Sequence, residues 1–567
     1  MNSVRHIIAI TLLFSPLLTY PISQQRWAEQ TLASMSVDEK IGQLFMVATA
    51  SDFNQPEEAL ASALIKCPYQ MDHEHIKDLI TNYHVGGIIY LFKSTPEKQM
   101  DLTNELQKLS KHPLLIGQDC EWGLSMRLYD TLRFPRNMTL GAIQDEALIY
   151  EMGKKIGKQC SAIGVHINFS PVVDVNNNPA NPVINDRSFG ENKEKVARYA
   201  ILMMRGLQDG GVMACAKHFP GHGDTSVDSH SNLPVITHTR SHLNNTELYP
   251  FKKLIAQGVD AVMNAHLCIP TLEDTPNMPS SLSHKIVTEL LQEELGFKGL
   301  VITDGLGMSA ITKHYAPGDI ELKALLAGND IILCPLDVPK AVELIKQAIQ
   351  NKQLSTEVLD AHVAKILQAK EKMNLHRNRF VDKHEAYAAW LNNDYGLELK
   401  KKLFAAAITK ASVHDILPVK ATENDRIALI KVGGRTECHF KNMLLQECPC
   451  ADFLLASKPS NDEVEKIAQN VAPYKHIIIA LFDMNKFAHQ NWGVSEKTLE
   501  LIRILESQGK KITLVLFGNP YSLRLFNRDK LSIIEAYEDD ADAQRAAAQV
   551  ILGTLKPQGK LPVTPQY

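Results

Sequence analysis

Six ionisable side chains crowd into one short stretch of this chain, which reads Ala216-Lys217-His218-Phe219-Pro220-Gly221-His222-Gly223-Asp224 and continues to Asp228-Ser229-His230. A solvated helix face has no use for these glycines and proline, and a core strand would not carry so much charge. The segment therefore reads as a loop that places charged groups around a ligand. An imidazole titrates near neutrality and can give or take a proton, and a carboxylate beside it fixes its tautomer and stabilises its charged form. Imidazole and carboxylate are also zinc ligands, but the stretch has no HExxH-like helical spacing. The chemistry expected is proton transfer and ligand binding, with no metal and no cofactor. His222 and Asp224 are read as groups that shape the loop through backbone hydrogen bonds.

Such a loop needs a scaffold, and the apolar runs supply one. Leu44–Ala48, Gly87–Leu91, Leu114–Gln118, Ile167–Val173, Met213–Ala216, Ala261–Ala265, Leu300–Thr303 and Asp330–Leu333 are strand-like, with amphipathic segments between them. Eight buried parallel-type strands alternating with helices predict a (β/α)8 TIM-type barrel. Polar residues end these runs: Asp119 and Glu121 the third, Asp174 the fourth, Lys217 and His218 the fifth, His266 the sixth and Asp304 the seventh. Barrel active sites lie at that end of the strands, so these groups are expected to converge on one mouth. His266 is read as either a ligand contact or a support behind one.

Ser36 and Glu39 form a capping box that opens the first barrel helix. An amphipathic helix around Ala341–Leu375 is expected to close the barrel, and His376–Lys402 is a largely polar connection. Strand-like Ile427–Val432, Ile477–Phe482, Ile512–Phe517 and Ile533–Tyr537, with helical runs such as Ala541–Leu555, predict a second open-sheet α/β domain, an αβα sandwich. Val432-Gly433-Gly434-Arg435 lacks the GxGxxG spacing, so no nucleotide-phosphate fingerprint is present there. The expected division is a signal peptide over 1–24, the catalytic barrel over 25–376, a linker over 377–402 and the second domain over 403–567.

At 567 residues the chain is too long for one core, and with 60 basic against 64 acidic residues it has no nucleic-acid-binding charge. Arg5 followed by the apolar run Ile7–Tyr20 is shorter than the ~20 residues of a spanning helix. It predicts export to the periplasm or medium without stable membrane insertion. The nine cysteines are odd in number and irregularly spaced, which is no disulfide framework.

The residues now in view resemble glycoside hydrolase family 3, specifically its β-N-acetylglucosaminidase branch. The resemblance is strong over roughly 30–375 and weaker over 400–567. It is carried by Lys217 to Asp224 with Asp228-Ser229-His230, by Asn185-Asp186-Arg187-Ser188-Phe189-Gly190, by Leu295-Gly296-Phe297-Lys298-Gly299-Leu300-Val301-Ile302-Thr303-Asp304, and by Gly559-Lys560-Leu561-Pro562-Val563. The resemblance implies a retaining exo-β-N-acetylglucosaminidase acting on oligosaccharides from cell wall or chitin. Asp304 would be the nucleophile, and His230, oriented by Asp228, the general acid and then base. Asp119, Arg127, Arg187, Lys217 and His218 would bind the non-reducing sugar. The chain departs from the family where Asp-x-Glu-Gly-Gly-Arg is usual, since Asp119-Cys120-Glu121-Trp122-Gly123-Leu124 replaces a glycine and an arginine. A phosphorylase or a β-glucosidase on the same site stays open as an alternative. So does a non-catalytic sugar-binding protein, although Asp304, Asp228 and His230 are all present.

Overall fold

In the computed structural model, residues 27–52, 72–228, 232–384, 391–414, 416–420, 426–434 and 436–565 are described. The expected signal segment, Cys67 and His230 lie outside these residues. Among those described, no helix is long and apolar enough to cross a membrane. The other eight cysteines are all free thiols.

The first domain is built on β1 (Phe45–Thr49), β2 (Gly87–Tyr90), β3 (Leu115–Gln118), β4 (Ile167–Asn168), β5 (Met213–Phe219), β6 (Ala261–Asn264), β7 (Leu300–Thr303) and β8 (Ile332–Leu333). Each pairs in parallel with its successor, from Met46 beside Gly87 onward. The ring closes where Phe45 of β1 pairs with Ile332 of β8 and Ile302 of β7 bridges Ile331. All eight strands are buried throughout, which is why they read as unbroken apolar runs. The Ser36–Glu39 capping box is present at the N-terminus of the helix Val37–Gln43.

The single closing helix expected over 341–375 is two helices, Val338–Gln350 and Thr356–Lys372. Lys352 takes a left-handed conformation (φ 59°) and Ser355 caps the second helix, its hydroxyl accepting from Val358 N. The turn lets both helices bury an apolar face on the barrel, with Leu354 packed between them and the core.

The second domain is a six-stranded sheet in the order β11-β10-β12-β13-β14-β9. Its strands are β9 (Thr409–Lys410), β10 (Ile427–Val432), β11 (Cys450–Leu455), β12 (His476–Leu481), β13 (Lys511–Leu516) and β14 (Ser532–Glu535). Side chains of β12 alternate between two cores, Ile477, Ile479 and Leu481 on one face and Ile478 and Ala480 on the other. Helices therefore cover both faces, as the sequence implied. Two strands were not legible. β9 is a two-residue antiparallel edge, and β11 is a half-exposed edge strand that carries Asp452 in place of an apolar run.

The domains dock through buried polar contacts. Glu538, almost fully buried, accepts from Arg133 Nη2 (2.6 Å), Arg136 N (2.8 Å) and Thr139 Oγ1 (2.7 Å). Tyr521 Oη donates to Asn176 O (2.9 Å). The Gly559–Val563 segment returns to the barrel, where Lys560 N donates to Ala142 O (2.9 Å) and Pro562 O lies against Gly190. Gly190 has φ 130°, and a Cβ there would fall 2.3 Å from that oxygen, so only glycine fits.

Truncating one member of a buried charged contact typically costs about 2–5 kcal/mol. Glu538→Ala should therefore lower the melting temperature and split calorimetric unfolding into two transitions. Loss of the exposed Glu465 carboxylate should leave the trace unchanged.

Candidate active site

The C-terminal ends of the barrel strands hold a chain of alternating charges. Lys217, 2% exposed, lies in the C-terminal half of β5. Its Nζ donates to Asp119 Oδ1 (2.7 Å) and lies 3.0 Å from Glu121 Oε1. Asp119 and Glu121 follow β3. Asp119 Oδ2 also accepts from Arg127 Nη2 (2.7 Å). Arg187, on the turn after Asn185, grips Glu121 with both arms, Nε to Oε2 at 3.0 Å and Nη2 to Oε1 at 2.6 Å. This two-pronged fit is the geometry that suits guanidinium to carboxylate.

Burial alone would push both carboxyls up, but the cations outweigh it. Lys217 and Arg127 hold Asp119 well below the usual carboxylate range. Arg187 and Lys217 bring Glu121 down to about 2. Burial opposes the charge on Lys217 too, yet Asp119 and Glu121 raise its ammonium above the ordinary lysine value.

His218 continues the chain, with a tautomer that follows from its partners. Its Nε2 lies 3.4 Å from Arg187 Nη2, and a guanidinium can only donate. Nε2 is thus the acceptor, and the proton sits on Nδ1, which donates to Asp174 Oδ2 (2.8 Å). The other Asp174 oxygen accepts from the backbone N–H of His218 (3.2 Å) and of His222 (2.7 Å). Asp174, noted in the sequence only as the residue ending the fourth run, is the post to which the front of the loop is tied. Burial drives the His222 imidazole down to about 4, and its Nδ1 meets Thr225 Oγ1 at 3.0 Å. The loop-shaping reading of His222 fits this environment.

Asp304 stands directly after β7, its N–H donating to Asn264 O (2.8 Å) and its Oδ1 accepting from Gly305 N (2.8 Å). Its charge reaches both His222 and Cys215 within β5. His266 sits behind it, fully buried. Nε2–H donates to Gly305 O (3.0 Å), so Nδ1 accepts from Ser281 Oγ (2.7 Å). Of its two readings, support of the turn that carries Asp304 is the one matched by these bonds.

Asp119, Arg127, Lys217, Arg187 and His218 are thus one connected set, and Asp304 faces the same strand ends. Asp228 is half-buried. His230 lies outside the described residues. The sequence did not reveal Lys486, a second-domain residue within electrostatic reach of Asp186, Arg187, Arg136 and Asp228. Burial holds its ammonium below the ordinary lysine range. Lys486, Arg136 and Asp186 line an inter-domain cavity of about 440 Å³, and the Arg136 guanidinium lies over the Trp122 ring (4.8 Å). Trp122, at the departure from the family pattern, thus packs against a guanidinium that lines this cavity.

The family profile described as "Glycosyl hydrolase family 3 N terminal domain" matches residues 36–369. A β-hexosaminidase A of Pseudoalteromonas piscicida is 29% identical over 551 residues, spanning 86% of this chain and 90% of that one. A β-hexosaminidase of Mycobacterium tuberculosis is 33% identical over 323 residues, 55% of this chain and 81% of the relative. Among solved structures, a β-N-acetylglucosaminidase of the same family from a Paenibacillus species is 31% identical with a TM-score of 0.77, covering 94% of this chain and 99% of that one. A β-glucoside phosphorylase at 23% identity and TM-score 0.79, covering 96% and 97%, shares the two-domain fold.

A carboxyl whose pKa falls on folding stabilises the protein above its unfolded value, about 4.3 for glutamate. For Glu121 that stability is lost as the pH drops through about 2. Urea unfolding of the wild type should thus weaken between these limits. Glu121→Gln should be less stable at pH 7, by roughly 3–5 kcal/mol for a broken buried ion pair, and should lose less than the wild type across the acid window.

Proposed function

The chain belongs to glycosyl hydrolase family 3 and is a glycoside hydrolase, and on that premise we propose a retaining exo-β-N-acetylglucosaminidase. The observation that carries this reading is the ion-paired run Arg127–Asp119–Lys217–Glu121–Arg187–His218, its centre buried, beside a carboxylate at the end of β7. Fixed, alternating donors and acceptors suit the hydroxyls and amide of one terminal sugar. The relatives' names, β-hexosaminidase and β-N-acetylglucosaminidase, support an N-acetylhexosamine as that sugar.

In the proposed reaction Asp304 attacks the anomeric carbon as the bond to the leaving oxygen breaks, giving a glycosyl ester on its carboxylate. His230, oriented by Asp228, delivers a proton to that oxygen. The resulting neutral imidazole then takes a proton from water, which attacks the anomeric carbon and frees the carboxylate. Overall configuration is retained. Lys217, Arg187 and Arg127 keep Asp119 and Glu121 ionised and fixed, so the sugar meets a rigid polar surface. Export and fragments of cell wall or chitin as natural substrates belong to the same proposal. They rest on the apolar N-terminal run and the family resemblance.

The deciding experiment is turnover of an aryl N-acetyl-β-glucosaminide against the aryl β-glucoside, with and without phosphate, following the product anomer by NMR. N-acetylglucosaminide hydrolysis with initial release of the β-anomer is expected. An α-anomer would overturn retention, and formation of sugar 1-phosphate would make the enzyme a phosphorylase. Asp304→Asn should fold normally and lose nearly all turnover, because an amide cannot form the ester.

His230→Ala should harm a disaccharide far more than an activated aryl glycoside, whose leaving group needs little protonation. The gap should be about 10²–10⁴-fold, the usual worth of general acid help. Equal losses on both substrates would send the search for the proton donor elsewhere.

A further inference from the structure

Behind the catalytic loop, three side chains outside the reaction converge. His238, His242 and Glu247 each offer a donor atom, and these atoms lie within 4.8 Å of one another. His242 follows the cap of the short helix Arg240–Asn245, and Glu247 precedes the helix Leu248–Ala256. Glu247 is 3% exposed, yet among the described residues its Oε2 has no hydrogen-bond partner, and neither does the buried His242 Nε2. His242 Nε2 and Glu247 Oε1 are 3.4 Å apart without forming a hydrogen bond. The imidazole rings of His238 and His242 stack with centroids 4.0 Å apart.

A carboxylate sunk in a fold with one oxygen unsatisfied carries a desolvation cost that calls for a partner. A divalent cation would satisfy Glu247 and both imidazoles at once. With zinc–nitrogen and zinc–oxygen bonds of about 2.0–2.1 Å, tetrahedral ligands stand about 3.3–3.4 Å from one another, the separation seen here between His242 and Glu247. Two imidazoles and one carboxylate suit zinc and its first-row neighbours, not calcium or magnesium, which take oxygen sets. The outer partner is also in place. His238 Nε2 lies 2.7 Å from Asp224 Oδ2, and a metal-bound imidazole regularly gives its second N–H to such a carboxylate. That contact leaves Nδ1 of His238 as its donor to an ion. His238 and His242 are partly exposed, which provides an entry path.

We propose that His238, His242 and Glu247 form a binding site for a zinc-type divalent cation, with Asp224 orienting His238. Its place in the fold gives it a structural role. Asp224 lies on the loop that runs on to Asp228, and Glu247 backs directly onto Gly221, where a Cβ would fall 2.6 Å from the Glu247 Cβ. Gly221 has φ 133°, a conformation that leaves the space for this contact. The ion ties the loop to the two helices behind it and takes no part in the chemistry.

The test is metal binding itself, independent of any sugar. Chelator-treated full-length protein is titrated with Co²⁺ and followed by its visible absorption, then with Zn²⁺ and followed by thermal melting. One saturable equivalent is expected, with ligand-field bands of a four- or five-coordinate site and a rise in melting temperature of a few degrees. His242→Gln, at a partly exposed position, should keep the fold and lose the cobalt spectrum. Asp224→Asn should weaken binding by about 10–100-fold, the usual effect of removing such an outer carboxylate. Absence of a one-equivalent phase in the wild type would overturn the site. An unchanged spectrum and affinity in the folded His242→Gln protein would do the same. Should Glu247→Gln fail to fold, the wild-type titration and His242→Gln still decide the question.

Discussion

A buried ammonium between two carboxylates organises this active site. Moving Lys217, Asp119 and Glu121 out of water costs several kcal/mol per ion, and only close partners offset it. Each charge has them. Lys217 meets both acids, Asp119 also meets Arg127, and Glu121 is gripped twice by Arg187. With Asp174 included, three carboxylates face three cations, and the set is neutral while His218 carries a single proton. The barrel must therefore hold the ends of β3 and β5 within salt-bridge reach across the two-residue strand β4. A shift of register at either strand would leave a buried charge without its counterpart.

Arg187 ties the site to the second domain. It does not sit on a strand but on the turn Asn185–Arg187, which the second domain contacts. Asn185 occupies a left-handed conformation (φ 37°). It is held by Asn519 Nδ2 on its side-chain oxygen and by Lys486 O on its amide. From below, Ser188 Oγ donates to Asp174 O (2.6 Å). The turn is clamped between domains, and the guanidinium inherits that rigidity. The closing Gly559–Val563 segment acts on the same region, since Pro562 packs on Gly190 and on Gly141. A motif near the C-terminus thus matters to a site hundreds of residues earlier.

The sequence disclosed what period and position encode. Barrel strands buried on both faces appear as apolar runs, and the polar residue ending each run marks the mouth, so Asp119, Lys217, His218 and Asp304 are legible in the amino-acid order alone. Three kinds of feature escaped. Edge strands such as β11 lack an apolar run because one side meets water. The break after Gln350 is set by a left-handed lysine and a serine cap, too local to interrupt the amphipathic period around it. Contacts between distant segments, Lys486 beside Asp186 or Asp174 beneath two loop amides, leave no pattern in a single chain. The spacing His238-x3-His242-x4-Glu247 was visible as letters. What it lacked was the helical HExxH form, and the convergence of its donors depends on a turn between two short helices.

The three histidines of the loop motif show how position divides labour among identical side chains. His218 has both ring nitrogens committed, one donating to Asp174 and one accepting from Arg187, so a proton exchanged there would disturb the charge balance around Glu121. His222 is buried and brought down to about 4, so it stays neutral at neutral pH and has no proton to deliver to a leaving group. These two are therefore tied into the loop and the charged network. The remaining imidazole, His230, lies beyond Asp228 on the same segment, past the tether at Asp174 and the second one through Asp224 to His238. The proposed reaction gives proton transfer to His230, as the family resemblance implies, and the bonds of His218 and His222 are compatible with that division of labour.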